Sequence, residues 1–371
     1  MIPGLEFNRN GLCPMCASAT ETAAFKSVLP LKYEFPQSKK SRFDVAVFYT
    51  DGKDSTYLLY YLAKVKKLRV LALIWEIPFI SPSARKSIEN AKKRLKNVEF
   101  VSRYIDELSL QKVYRQLYSL NGNTCACPSL AYVLFYPLLV SEKVPYFVLG
   151  NEPVQMKNLY YNNMAPAIAY RFAENKWLIL LIGLFRILTL RKPLRQGQFQ
   201  TLATMRQLAY GAGFIKKLFG YRNRFLSNIV TSLHEIPHLL KPLKRAIRIS
   251  NLTGNIPAFV HIDFNQISPD GIYNWQDVKE LLAKEVGWVS VADSKGLHTS
   301  CLIEKCKEHT QFIRFYQMKS SMVPFSAIEL ALASRDKNLT RAKAIEEIKN
   351  HLGFSLTAPP ECNIMKEYLK R

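Results

Sequence analysis

Through the first 150 residues, short apolar runs alternate with segments whose apolar residues recur on a helical period. Residues 44–49, 68–75, 98–104 and 145–150 are compact and β-branched or aromatic, which predicts buried strands. Residues 56–66, 83–96, 106–120 and 128–141 predict helices between them, the second with a polar face. Strands and helices alternating at this spacing predict an α/β fold, a doubly wound parallel sheet covered on both faces. A polar stretch at 36–41 separates this pattern from a short leader at 1–40.

The middle of the chain has a different character. Residues 177–190 are apolar but for the interrupting Arg186, too short a run for a membrane span, and predict a buried helix, with an interfacial helix as the alternative. From Lys176 to Arg248 there are 14 Lys and Arg against the single acid Glu235, interleaved with Phe185, Phe199, Tyr210, Phe214, Phe219, Tyr221 and Phe225. This predicts a basic, mainly helical insertion or second domain at 176–254. Residues 255–371 return to mixed character. A strand is expected at 257–264, a helix at 275–286, and a helix at 340–351 that Thr340 caps and Gly353 stops. The domain division is therefore 1–40, 41–175, 176–254 and 255–371.

Composition adds one constraint. Apolar residues make up 48% and charged residues 22% of 371, which excludes whole-chain disorder. The net charge of +23 calls for an anionic partner. No run of 18 apolar residues occurs, so no integral membrane span is expected. The opening residues lack the charged-then-apolar order of a signal peptide, and a cytoplasmic location is expected.

Between the first strand and the first helix lies Thr50-Asp51-Gly52-Lys53-Asp54-Ser55. A strand-to-helix turn of this kind aims backbone N–H groups and a helix N-terminus at one spot, an arrangement that binds phosphate. Gly52 permits close approach, Lys53 supplies a charge, Ser55 a hydroxyl, and Asp54 a carboxylate that positions Mg2+ or holds the loop. An ordinary capped turn is the alternative. After the fourth strand, Gly150-Asn151-Glu152-Pro153 falls at the same sheet edge.

The first loop resembles the Ser-Gly-Gly-x-Asp-Ser loop of the PP-loop ATP pyrophosphatases, through Gly52, Asp54 and Ser55. Thr50 replaces the first Ser, and Asp51 stands at the usual first Gly. It is not a Walker A loop. Gly150-Asn151-Glu152-Pro153 is similar to the Gly-Glu-Asn-Pro segment of the N-acetyl sugar amidotransferase branch, with two residues transposed. Phe7 and Asn8 with Gly11, Cys13 and Cys16 resemble that branch's opening phrase. Ser334-Arg335-Asp336, Thr340-Arg341 and Ala344-Ile345 resemble its terminal motif. The resemblance touches residues 5–153 and 331–348 and implies a HUP-like doubly wound sheet. It implies ATP cleavage to AMP and pyrophosphate, with adenylation of a carbonyl oxygen that nitrogen or sulfur then displaces. Thr50 to Ser55, Gly150, Asn151 and Glu152 are then the nucleotide site, with Mg2+ as cofactor and Lys53, Asp54, Cys125 and Cys127 as catalytic candidates.

The cysteines carry a separate question. Cys13-x-x-Cys16 has the spacing of half a zinc or iron–sulfur site. Cys125-Ala-Cys127 precedes a helix, where a thiol is activated. His298, Cys301 and Cys306 form a third cluster, and Cys362 has no neighbour in sequence. Three readings stay open: structural Zn2+ held by Cys13 and Cys16 with His298, Cys301 or Cys306; a [4Fe–4S] cluster or persulfide involving Cys125 or Cys127; and thiols without ligand duty. His234-Glu235-Ile-Pro-His238 matches a zinc-protease pattern, but Pro237 interrupts the helical turn that pattern requires.

Two enzyme branches follow. One amidates an acetamido-sugar, with ammonia from a separate donor protein because no glutaminase domain is visible. The other inserts sulfur into a tRNA base or small molecule, with a separate sulfur donor. A non-catalytic RNA-binding protein on the same fold is the reading from another class. The basic middle, with Arg191, Lys192, Arg195, Lys216, Lys217, Arg222 and Arg224, is a solvated lid, a tRNA track or a membrane-surface contact.

Overall fold

The computed structural model describes residues 6, 8–11, 35, 37–121, 127–150, 154–155, 176–195, 197–211, 224–290, 301–319, 323–351 and 353–370. Five strands form one all-parallel sheet: β1 (Val45–Phe48), β2 (Val70–Trp75), β3 (Val98–Arg103), β4 (Tyr146–Leu149) and β5 (Ala258–Val260). The spatial order is β3-β2-β1-β4-β5. β1 is central, with Val47 level with Ala72 on one side and Val148 on the other.

β1, β2 and β4 are apolar at every position because both sheet faces are covered there, while the edge strand β3 carries Glu99, Ser102 and Arg103. Ala46, Phe48, Leu71, Leu73 and Phe147 point into one core. Val45, Val47, Val70, Ala72, Ile74 and Val148 point into the other. The first core is closed by α3 (Glu107–Asn121), α4 (Cys127–Ser141), α6 (Gln198–Tyr210), α7 (Arg224–Leu233), α8 (Pro237–Thr253) and α14 (Glu361–Lys370). The second is closed by α1 (Lys53–Tyr60), α2 (Pro82–Arg94), α9 (Phe264–Ile267), α10 (Trp275–Glu285), α12 (Phe325–Arg335) and α13 (Arg341–His351). Also among the described residues are α5 (Lys176–Leu188), α11 (Glu304–Tyr316) and a π-helical turn, Tyr61–Val65, that continues α1.

Helix ends follow from local chemistry. The Ser81 side chain accepts from Ala84 N–H at 3.2 Å and Pro82 opens α2, where its missing N–H costs nothing. Asn274 caps α10 through Gln276 N–H at 2.9 Å. Thr340 accepts from Lys343 N–H at 3.3 Å and α13 ends just before Gly353, as expected. Gly353 also has a packing reason: a Cβ there would sit 2.6 Å from the Lys305 carbonyl oxygen.

Two expectations are corrected. The strand expected at 257–264 covers only Ala258–Val260, because Asp263 accepts from Asn265 N–H at 3.0 Å and starts α9. The apolar 177–190 segment is helical but not buried: Leu181 is 62% exposed and Leu188 82%. Apolar composition produced the helix, yet the face that packs is the one bearing Arg186, which is 6% exposed.

Candidate functional site

β1 is the strand at which the chain reverses its direction of travel across the sheet, to β2 and β3 on one side and then to β4 and β5 on the other. Open parallel sheets bind ligands outside the carboxyl end of such a strand. Residues 50–55 lie there. Gly52 stands at the start of α1 with φ −60° and ψ 157°, and no side chain caps the helix. The loop is closed from within. Ser55 Oγ donates to the Gly52 carbonyl at 3.1 Å and accepts from Thr50 N–H at 3.2 Å. The hydroxyl of Thr56 also donates to the Gly52 carbonyl, at 2.9 Å. Thr50 is exposed at the mouth.

Gly150 joins the second loop to the first. A Cβ at Gly150 would lie 2.6 Å from Ser55 Cα and 2.7 Å from Ser55 N. Only glycine lets the end of β4 press against the start of α1. Gln155, just beyond, donates to Asp54 Oδ2 at 3.2 Å. Asn151 and Glu152 lie outside the described residues.

Asp51 occupies the loop with φ 55°, a left-handed conformation that Asp tolerates better than most residues. Its carbonyl accepts from Trp288 Nε1 at 2.9 Å, which fixes the turn. The side chain is 3% exposed and its Oδ1 has no hydrogen-bond partner. Burial pushes its carboxyl well above the ordinary carboxylate range. The residue therefore resists bringing a negative charge to the loop. Tyr49 beneath it is pushed up too, by burial first and then by Asp51.

Lys53 and Asp54 turn away from the mouth and into a cage that the local sequence does not announce. Lys53 Nζ donates to Asp54 Oδ1 and to Tyr273 Oη, the latter at 3.1 Å. It lies 4.3 Å from the Tyr273 ring centroid and 4.8 Å from that of Trp275. Tyr273 Oη donates to Asp54 Oδ1 at 2.7 Å. The side chains of Lys53 and Asp54 are only 9% and 8% exposed. Lys53 is thus paired inward on α10 in this conformation. Lys279, one turn further along α10, is held below the ordinary lysine range by burial, and by Lys53 and Lys343, against the pull of Glu347 and Asp54. Asn338 supports the cage from behind: its Nδ2 donates to the Tyr273 carbonyl at 2.9 Å and its carbonyl accepts from Trp275 N–H at 3.0 Å.

The terminal segment singled out in the sequence is therefore in the second core beside this cage, since α12 and α13 flank Asn338. Tyr273, Trp275, Lys279, Trp288, Gln155 and Asn338 were not anticipated. The one signal available was the aromatic and polar density of 272–276. The chain matches no protein-family model, and no curated protein matches it.

The cysteines distribute differently from the expected cluster. Cys127 opens α4, at the same sheet edge as the 50–55 loop, because the helix runs antiparallel to β4, which follows it. Cys301 pairs with Ile80 in an isolated bridge beyond β2. Cys306 is buried on α11, where burial and then a hydrogen bond with the Cys362 thiol push it far up. Cys362, which has no neighbour in sequence, is thus the residue that Cys306 meets. Among the described residues no group of three or more His, Cys, Asp or Glu side chains is arranged for a metal ion. Cys13, Cys16, Cys125 and His298 lie outside the described residues. His234 follows the end of α7 while His238 is within α8, so the two are not on one helix. His238 lies 3.9 Å from Asp106 instead.

His261 follows β5 at the same sheet edge, with its ring edge-on to Phe259 at 4.2 Å. Burial lowers its pKa from 6.5 to about 4.

Proposed function

We propose that this chain is an ATP-dependent enzyme of the PP-loop type that forms AMP and pyrophosphate. The observation that carries the reading is the loop at the carboxyl end of the central strand. It has an uncapped helix start, an exposed Thr50, and Gly150 pressed on Ser55 so that two loops share one wall. The β and γ phosphates would rest on the 52–55 backbone, where the helix N-terminus favours negative charge. The neutral form favoured for Asp51 removes the objection that this position repels phosphate.

A carbonyl or amide oxygen of the acceptor attacks the α-phosphorus and pyrophosphate leaves. Ammonia then adds to the activated carbon, and AMP departs with the oxygen. The acetamido-sugar amidotransferase branch is the first choice, on the terminal motif that the fold brings beside the cage. Mg2+ would screen the phosphates, and Asp54 is the carboxylate nearest to hold it; its Oδ2 accepts from Gln155 here, so Gln155 would have to give way to the ion. The protein's own part is placement. Asp54 ties Lys53, Tyr273 and Gln155 into one unit, so the floor of the site is rigid before substrate arrives.

Cys127 at the shared sheet edge favours one second reading, sulfur insertion in place of nitrogen. Pyrophosphate release with acetamido-sugars and ammonium, or with a sulfide donor, separates the two. In either case Asp54→Ala abolishes release. A protein that binds RNA, releases no pyrophosphate, and keeps its RNA affinity in Asp54→Ala is a binding module on the same fold and overturns the enzyme reading.

A further inference from the structure

Helix α5 places leucines where a folded protein usually places lysines. Leu181 is 62% exposed and Leu188 82%, and Leu190 just after the helix is 97% exposed. At 3.6 residues per turn, Trp177, Leu181, Leu184 and Leu188 form one stripe, and Arg186 stands about 180° away from it. Arg186 is how the helix is rooted. Its guanidinium donates to the Lys192 carbonyl at 2.7 Å, to Asn251 Oδ1 at 2.5 Å and to the Asn251 carbonyl at 3.3 Å. Lys192 lies over Gly254, where a Cβ would meet its side chain at 2.8 Å. The root is therefore at the end of α8, just ahead of β5, on the sheet edge opposite the phosphate loop.

The surface beside the root continues the pattern. On α8, Lys241, Arg245, Arg248 and Leu252 share one exposed stripe by the same arithmetic. Its apolar end, Leu252 with Ile249, adjoins Asn251 and hence α5. Its basic end runs away from α5. Moving from α5 along α8, the surface passes from leucine to arginine and lysine, the order met on passing from acyl chains to anionic headgroups.

We propose that α5 is an interfacial anchor that seats this chain on an anionic lipid bilayer. The helix has 13 residues. At 1.5 Å each it reaches about 20 Å, short of the roughly 30 Å hydrocarbon core, so it lies in the interface and does not cross. No helix among the described residues is long and apolar enough to span. A second copy of the chain fits less well. A two-fold contact would set the basic stripe against itself, in a region of 14 Lys and Arg with one acid. Nucleic acid fits less well because the exposed side chains of α5 are chiefly aliphatic and do not stack on bases.

Flotation of the full chain with phosphatidylcholine vesicles, with and without phosphatidylglycerol, tests this. Wild type floats with the anionic vesicles and binds the neutral ones at least about tenfold more weakly. Leu181→Ser/Leu184→Ser/Leu188→Ser keeps its circular dichroism and melting profile and loses flotation. Lys241→Glu/Arg245→Glu/Arg248→Glu weakens anionic-vesicle binding at least about tenfold and leaves the residual neutral-vesicle binding unchanged. Failure of wild type to float with either vesicle overturns the proposal. So does flotation that the leucine variant retains. So does a wild-type dimer in sedimentation that the leucine variant converts to monomer without any vesicle binding, which would assign the face to self-association.

Discussion

The loop after β1 and helix α5 distribute polarity in opposite ways. The loop hides its ionisable groups: Lys53 and Asp54 are turned from solvent and met by Tyr273 and Gln155, and Asp51, whose carboxyl burial pushes toward the neutral form, is fixed through its backbone carbonyl by Trp288. Helix α5 hides one charge, Arg186, and leaves its leucines outside. A buried charge is tolerated only where partners are fixed, so the loop is the rigid region, and its rigidity depends on residues from the far half of the chain. An exposed leucine costs the fold little, and among the described residues α5 is rooted through Arg186. The difference separates what the fold needs from what a partner would need.

Substitutions sharpen that contrast, and the largest effect is expected where two backbones touch. Gly150→Ala drives a Cβ onto the Ser55 backbone and should cost about 3–4 kcal/mol in urea unfolding, with loss of nucleotide binding. Asp54→Ala leaves Lys53 buried without its carboxylate and should cost about 3 kcal/mol by the same measurement. Equal stability of either variant to wild type would break the claim that the loop is locked.

The pH dependence of stability is next in size. His261 has its folded pKa lowered from 6.5 to about 4, so the unfolded chain takes up the proton first. Stability is full above pH 6.5 and falls as pH drops toward 4, by about 3 kcal/mol. His261→Asn should flatten that part of the profile, read by denaturation at a series of pH values. Trp288→Phe removes the donor to the Asp51 carbonyl and should cost about 1 kcal/mol. The smallest change belongs to α5, where the three-leucine variant should shift stability by less than about 0.5 kcal/mol. A large loss there would mean that the leucines are packed in solution.

The sheet was readable because both its faces are covered: β1, β2 and β4 are unbroken apolar runs bounded by turns, β3 keeps Val98, Phe100 and Val101 at the edge, and the loop after β1 carries its own signature. β5 was overextended because His261 and Ile262 continue the apolar pattern past the strand, and only the Asp263 cap ends it. Burial of α5 was misjudged for a general reason. Apolar content predicts a helix but does not say which neighbour covers it. The cage around Lys53 was hidden by distance, since Tyr273 lies 220 positions away. Cys306 and Cys362 met for the same reason, across two helices with no shared spacing.

The central claim is that residues 50–55 hold the phosphates of ATP. Calorimetric titration of Mg2+ and ATP into wild type and Thr50→Glu tests it most directly. Thr50 is exposed and the variant gives up only its hydroxyl contact with Ser55 Oγ, at 3.1 Å, so it places a negative charge at the mouth of the loop without disturbing the core. The account predicts that wild type binds ATP, that pyrophosphate competes, and that Thr50→Glu weakens binding at least about tenfold while melting as wild type does. Wild type that binds no ATP, or ATP binding that Thr50→Glu leaves intact, would contradict it.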